Sequence, residues 1–305
     1  MDNQSDNATF AYEAFVDESG TKQKARTPVV QADDFGVAVG LLLPSGNVSE
    51  FEKMLHEKLE FSPDDLTHNT DCGENAETNR QSVYKAIETF EALHPDVLKL
   101  VYEVIPALGF HNTEWETPRQ LEQQAVQMRT SPIRISNNQD NPHAHAKLLA
   151  GVFAKVFACV MDQSGDSVRV NIDQVDEPIV SEAKKEICSL EKLSCVRQVN
   201  GFNRETMERL HGTVCSKIVG LSPLAFPHHQ IRTLPKSNCC IFAADVIANA
   251  LRYSLYDVAI KEGTRRLNKL DSIRDFRLAK FFISQARGSY PDASDTLYGG
   301  EGICL

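Results

Sequence analysis

Apolar and polar positions along the chain fall into stretches of different period, and each period predicts an element. Phe10–Asp17 reads FAYEAFVD, a strand-like apolar run that ends on Asp17 and Glu18 and then on the turn pair Ser19-Gly20. Residues 29–44, VVQADDFGVAVGLLLP, are apolar enough for one or two further strands, stopped by Pro44 and Gly46. Ser49 and Glu52 form an S-x-x-E capping box for a helix through FEKMLHEKL. Residues 60–79 are polar and loop-like. RQSVYKAIETFEAL, residues 80–93, returns to helical spacing with Val83, Ile87 and Phe90 on one stripe.

The stretch 94–140 is predicted to be helical in pieces, with Thr117-Pro118-Arg119-Gln120 as a capping box that carries Pro at the first helical position. Asn141-Pro142 opens a helix that runs apolar to about Met161. VRVNID then alternates with a period of two, which sets Val168, Val170 and Ile172 on one face and ends at Asp173. Pro178 opens a helix to about Leu193, and the segment 213–236 is expected to hold a last strand. From Cys239, CCIFAADVIANALRYSLYDVAI is a clear helix, and 264–287 is predicted as a further amphipathic one. Strands first, with helices interleaved after them, predict an α/β fold. The expected organisation is a disordered tail at 1–9, one domain at 10–290 with a helical insertion at about 94–140, and a flexible tail at 291–305.

Composition narrows the class. Hydrophobic residues make up 42% and charged residues 24%, an ordinary globular balance. No apolar run approaches the ~20 residues of a membrane span, and the polar, acidic opening MDNQSDNATF has no secretory pattern, so a cytoplasmic protein is expected. The eight Cys are then expected as reduced thiols, and none forms a C-x-x-C pair. The net charge of −10 is unevenly spread. Residues 1–93 hold 7 basic against 18 acidic residues, whereas 252–287 hold 9 basic against 4 acidic ones. Such asymmetry fits an acidic site beside a basic docking surface, although taken alone it is better accounted for by mixed charge on a solvated helix face. On a helical wheel of 264–287, Arg266, Lys269, Arg277 and Lys280 cluster within a broad stripe, away from Leu267 and Leu278, and are the candidate nucleic-acid docking residues.

Candidate chemistry rests on carboxylates in apolar company. Asp17-Glu18 ends the first strand, Asp173 ends VRVNID, and Asp245 lies between Ala243-Ala244 and Val246-Ile247 on an apolar helix. A charge at such positions costs several kcal/mol unless it is paired or bound to metal. Carboxylates converging from separate elements supply the hard oxygen ligands that phosphoryl transfer with Mg2+ or Mn2+ requires. The plainer alternative makes all three Asp residues turn and cap groups.

The same residues carry a resemblance. Ala14–Gly20, AFVDESG, is similar to the F-I-D-E-S-G signature of the bacterial domain-of-unknown-function 3800 family. Leu66–Asp71 resembles that family's L-H-A-x-D segment, Val170-Asn171-Ile172-Asp173 its central strand, and Lys236-Ser237 with Ile241–Ala248 its S-K … L-Q-L-A-D-L-I-A helix. The likeness spans about 10–260 in the right order. It departs at Phe242-Ala243, at Thr67-His68-Asn69, and in the long 94–140 stretch. It implies a ribonuclease H-like mixed sheet flanked by helices, with Asp17, Asp173 and Asp245 as metal ligands. Glu18, His68 and Asp71 would then stand behind them or face substrate. The implied activity is hydrolysis of a nucleic acid by a metal-dependent nuclease, with His68 positioning substrate or protonating the leaving group. A catalytically silent module of the same fold, binding a protein or nucleic acid, is the alternative.

Other motifs rank lower. His143-Ala144-His145 has metal-like spacing, but residues two apart on a helix face away from each other, so surface positions at a helix start are expected. Cys239-Cys240 is expected as a pair of packed thiols rather than a redox pair. Ser181-x-x-Lys184 mimics a serine–lysine hydrolase motif but sits on a charged amphipathic helix. No phosphate-cradling glycine loop is present in the sequence.

Overall fold

The computed structural model describes residues 9–20, 35–59, 75–106, 133–136, 144–192, 194–203, 205–217, 226–235, 237–262, 267 and 270–282. Eight strands are described: β1 Tyr12–Gly20, β2 Phe35–Pro44, β3 Lys99–Pro106, β4 Ile133–Ser136, β5 Ser167–Ile172, β6 Ser194–Asn203, β7 Arg209–Lys217 and β8 His228–Thr233. The α-helices are α1 Ser45–Lys58, α2 Asn75–Leu93, α3 Ala144–Asp162, α4 Glu177–Lys192 and α5 Cys239–Glu262.

Five strands form one mixed sheet in the order β3-β2-β1-β5-β8. β1, β2 and β3 pair antiparallel as a meander, and β5 and β8 add parallel to the other side of β1. This is a ribonuclease H-like arrangement, with an antiparallel meander and parallel strands sharing β1. A smaller antiparallel sheet, β4-β6-β7, accompanies it.

Side-chain alternation along β1 builds two cores, one on each face. Phe15, with Val37, Val39, Leu41 and Leu43 of β2, packs under α1, α2 and α5. Ala14 and Val16, with Val168, Val170 and Ile172 of β5, pack under α3 and α4. β1 is therefore buried on both faces, as a strand covered by helices on each side must be. α3 is apolar nearly all round and buried to match; it carries a buried ion pair, Lys155 Nζ 3.0 Å from Glu103 Oε2 on β3. Lys155 also donates to the Tyr102 carbonyl at 2.7 Å. Gly151 makes room for this pair, since a Cβ there would lie 2.7 Å from Glu103 Cγ.

Three expectations need correction. The stretch 94–140 is not helical where it is described: Lys99–Pro106 is β3 and Ile133–Ser136 is β4, and residues 107–132 and 137–140 lie outside the described residues. KLVYEVIP alternates between the two cores, Leu100, Tyr102 and Val104 to one and Val101 and Ile105 to the other, so edge pairing with β2 wins over local helical preference. The segment 264–287 is no continuous helix either. Its described part holds two 3₁₀ turns, Leu270–Ile273 and Ala279–Phe281, because Ile273, Phe276, Leu278, Phe281 and Phe282 are buried at spacings that no single helical face presents. α1 begins at Ser45, entered straight from β2 through Pro44 at φ −58° and ψ 137°, so Ser49 and Glu52 lie inside the helix rather than capping it.

Candidate functional site

The site begins with the register of β1 on β5. Phe15 pairs with Asn171 and Val16 with Ile172 in parallel, so one further step sets Asp17 beside Asp173. Asp17 shares its face with Phe15, on the side that α5 covers, and α5 brings Asp245 to the same end of the strand. Asp17, Glu18, Asp173 and Asp245 are all buried.

Local backbone geometry orients two of these acids. The Glu18 N–H donates to Asp17 Oδ1 at 2.7 Å, and the Gln174 N–H donates to Asp173 Oδ1 at 2.6 Å. Burial pushes the Asp17 carboxyl well above its ordinary value, and the charges of Glu18, Asp245 and Asp173 push it the same way; only the Glu18 N–H opposes them. One carboxylate feeling three others in a desolvated place is an arrangement that a cation would relieve. No three carboxylates among the described residues bring their donor atoms within 4.8 Å of one another.

On the opposite face of β1, Glu18 meets α3. His145 Nε2 lies 2.9 Å from Glu18 Oε1. His145 is only 9% exposed, which corrects the surface position expected for it. α3 packs its first turn against the strand end, and its apolar residues leave no solvated side for His145 to occupy.

Gly20, the last residue of the D-E-S-G run, has φ +91°, a conformation that L side chains rarely adopt. A Cβ at Gly20 would fall 2.5 Å from both Arg252 Nε and the Phe35 carbonyl oxygen. Arg252 of α5 therefore crosses β1 at its acidic end, two helical turns beyond Asp245. Its buried Nε has no hydrogen-bond partner.

The structure thus brings together Asp17, Glu18, Asp173 and Asp245, and adds His145 and Arg252. His68, Asp71, Arg266 and Lys269 lie outside the described residues. Arg277 is engaged within the molecule: its Nε and Nη2 each donate at 2.8 Å to the Glu88 carboxylate. The Lys280 ammonium sits 4.8 Å from the ring centroid of Phe281. Ser181 and Lys184 lie on α4, and Cys239 and Cys240 are buried at the start of α5. No helix among the described residues is long and apolar enough to cross a membrane. No protein-family model matches the chain, and no curated protein does.

Proposed function

We propose that this chain is a divalent-metal-dependent nuclease and that Asp17, Asp173 and Asp245 hold its Mg2+ or Mn2+. The observation that carries the reading is the burial of these three acids, with Glu18, at one end of β1, where burial first and then the neighbouring acids raise the Asp17 carboxyl well above its ordinary value. The donor set is all carboxylate oxygen, which suits a hard cation. When bound, such an ion supplies Lewis-acid polarisation of a phosphodiester.

The chain's own groups complete the chemistry. The backbone N–H groups of Glu18 and Gln174 fix the orientation of two ligand carboxylates. In the proposed enzyme His145 works through Glu18, whose Oε1 lies 2.9 Å from its Nε2, in delivering a proton toward a leaving oxygen. Arg252, with an unpaired buried Nε, offers a donor to a substrate phosphate. The likeness of AFVDESG and the Asp245 helix to the domain-of-unknown-function 3800 family supports the same reading.

Calorimetric titration with Mg2+ and Mn2+, paired with cleavage assays on single- and double-stranded DNA and RNA, tests it. Binding that disappears in Asp17→Asn, together with metal-dependent cleavage, is expected. Absence of binding at millimolar concentration would favour a catalytically silent module of the same fold.

A further inference from the structure

A second group of ligands lies at the other side of α5. The carboxylate of Glu52 on α1 and the thiols of Cys239 and Cys240 have donor atoms that all lie within 4.8 Å of one another. Both thiols are buried, and Glu52 is partly so. Asn238 fixes the arrangement. Its Oδ1 accepts the N–H groups of Cys240 and Ile241 at 3.0 and 3.1 Å, capping the helix, while its Nδ2 donates to Glu52 Oε1 at 3.2 Å. Cys239 Sγ lies 3.9 Å from the Glu52 carbonyl oxygen, so α1 and α5 meet at this point.

We propose that Glu52, Cys239 and Cys240 form a binding site for a soft or borderline divalent cation of the zinc class, distinct from the acid pocket and joining α1 to α5. Two sulfurs and one oxygen are the donors such an ion selects, whereas Mg2+ takes oxygen alone. Tetrahedral zinc, with bonds of about 2.3 Å to sulfur and about 2.0–2.2 Å to oxygen, sets its donors roughly 3.5–3.8 Å apart. The donor atoms, within 4.8 Å of one another, therefore have to close by at most about 1.0–1.3 Å, within the reach of side-chain torsions. Each thiol gives up its proton to solvent as its sulfur–metal bond forms. Two thiolates and a carboxylate then leave one negative charge on a divalent complex, next to the partial positive charge of the α5 N-terminus.

A disulfide does not compete for these sulfurs while the helix is intact. Adjacent Cα atoms are about 3.8 Å apart, short of the ~4.4–6.8 Å that disulfides span. The acid pocket is also a separate place. At about 100° and 1.5 Å per residue, Asp245 lies ~120–140° around the helix from the cysteines and about 7–9 Å along it.

The test is a titration of the full chain with Cd2+, read by thiolate-to-cadmium absorption in the ultraviolet, and with Zn2+, read by calorimetry in buffers of different ionisation enthalpy. One tight equivalent with proton release is expected. Glu52→Gln and Cys239→Ser should each weaken it by about 10–100-fold or more, while Asp17→Asn and the exposed-thiol variant Cys188→Ser leave it unchanged. Glu52→Gln removes a charge from a partly exposed residue, so it decides the matter even if a variant at buried Cys240 fails to fold. Unchanged Zn2+ affinity in both Glu52→Gln and Cys239→Ser would overturn the site, as would its loss in Asp17→Asn, which would assign zinc to the acid pocket.

Discussion

His145 Nε2 and Glu18 Oε1, contributed by α3 and β1, lie 2.9 Å apart at the buried end of the central strand. The contact ties the first turn of α3 to the one acid that faces away from α5. In the proposed enzyme His145 moves a proton, so His145→Gln should lower turnover by about 10²–10⁴-fold. Divalent-ion affinity should change far less, because the ligand acids are untouched. The pH–rate profile separates this role from a structural one: the histidine-dependent limb should vanish in the variant. An unaltered profile with a proportionate loss of stability would make His145 a packing residue.

Asp17 makes the metal-free protein sensitive to pH. Its ordinary value is 3.8, and the folded state raises it well above that, mainly through burial and then through Glu18, Asp245 and Asp173. The folded chain therefore keeps a proton that the unfolded chain releases. Its contribution to stability is fully present below the unfolded value, near pH 4, and is lost as pH rises through the raised value. The thermal midpoint of wild type, minus that of Asp17→Asn, should fall across this interval, and saturating Mg2+ should reverse the trend. At pH 7 the midpoints of Asp17→Asn, Asp173→Asn and Asp245→Asn should each equal or exceed that of wild type while activity is abolished. A pH-independent difference between wild type and Asp17→Asn would contradict the electrostatic account.

The acids were legible from the chain because each has a local mark: Asp17 and Asp173 close apolar strands, and Asp245 interrupts an apolar helix. Their meeting is a matter of register, and β1 and β5 are about 150 residues apart, so only the assumption of a shared sheet joins them. His145 was not legible. Its neighbours Asn141 and Pro142 mark a helix start, where a polar residue normally faces water. The overlooked mark was the helix itself, AHAKLLAGVFAKVFACVM, which has apolar residues on every side and hence no solvated face. Arg252 was read only as one of nine basic residues, because its approach to Gly20 depends on how α5 crosses β1. The C-terminal segment was misread for a similar reason. Leucines at helical spacing suggested one buried stripe, but burial there also takes Phe276, Phe281 and Phe282, which tertiary packing distributes around 3₁₀ turns.

Gly20 should be intolerant of substitution. Gly20→Ala places a Cβ at φ +91°, which alone costs about 1–2 kcal/mol, and adds a 2.5 Å approach to the Phe35 carbonyl that cannot move without disturbing β2. Chemical denaturation should show a loss larger than the backbone term by itself. Arg252→Ala should recover part of that loss, since Arg252 Nε is the other atom at 2.5 Å. A Gly20→Ala protein as stable as wild type would mean that β1 ends differently.

The buried pair Lys155–Glu103 gives a stability test remote from the acids. Lys155→Met leaves the Glu103 carboxylate buried without its cation and should cost about 3–5 kcal/mol. Adding Glu103→Gln should restore a large part of this, because the uncompensated charge is then gone. A double variant no more stable than Lys155→Met would assign the loss to packing of the lysine stem instead.

The docking expectation rests on Arg266, Lys269 and Lys280, with Arg277 as an internal comparison. Arg277 spends its guanidinium fork on Glu88, whose carboxyl it holds below the ordinary range, so it has little charge to give a phosphate. If the basic segment tracks a nucleic-acid backbone, each phosphate contact contributes about 0.7–0.9 to the log–log dependence of affinity on salt. Arg266→Glu with Lys269→Glu should therefore weaken binding of every sequence alike and flatten that slope by roughly one to two units. Arg277→Gln should leave slope and affinity nearly unchanged and cost at most about 1 kcal/mol of stability, as exposed ion pairs do. Salt-dependent binding of labelled DNA and RNA, measured with Mg2+ held constant, distinguishes the two variants. Equal slopes in all three proteins would move the basic docking surface away from this segment.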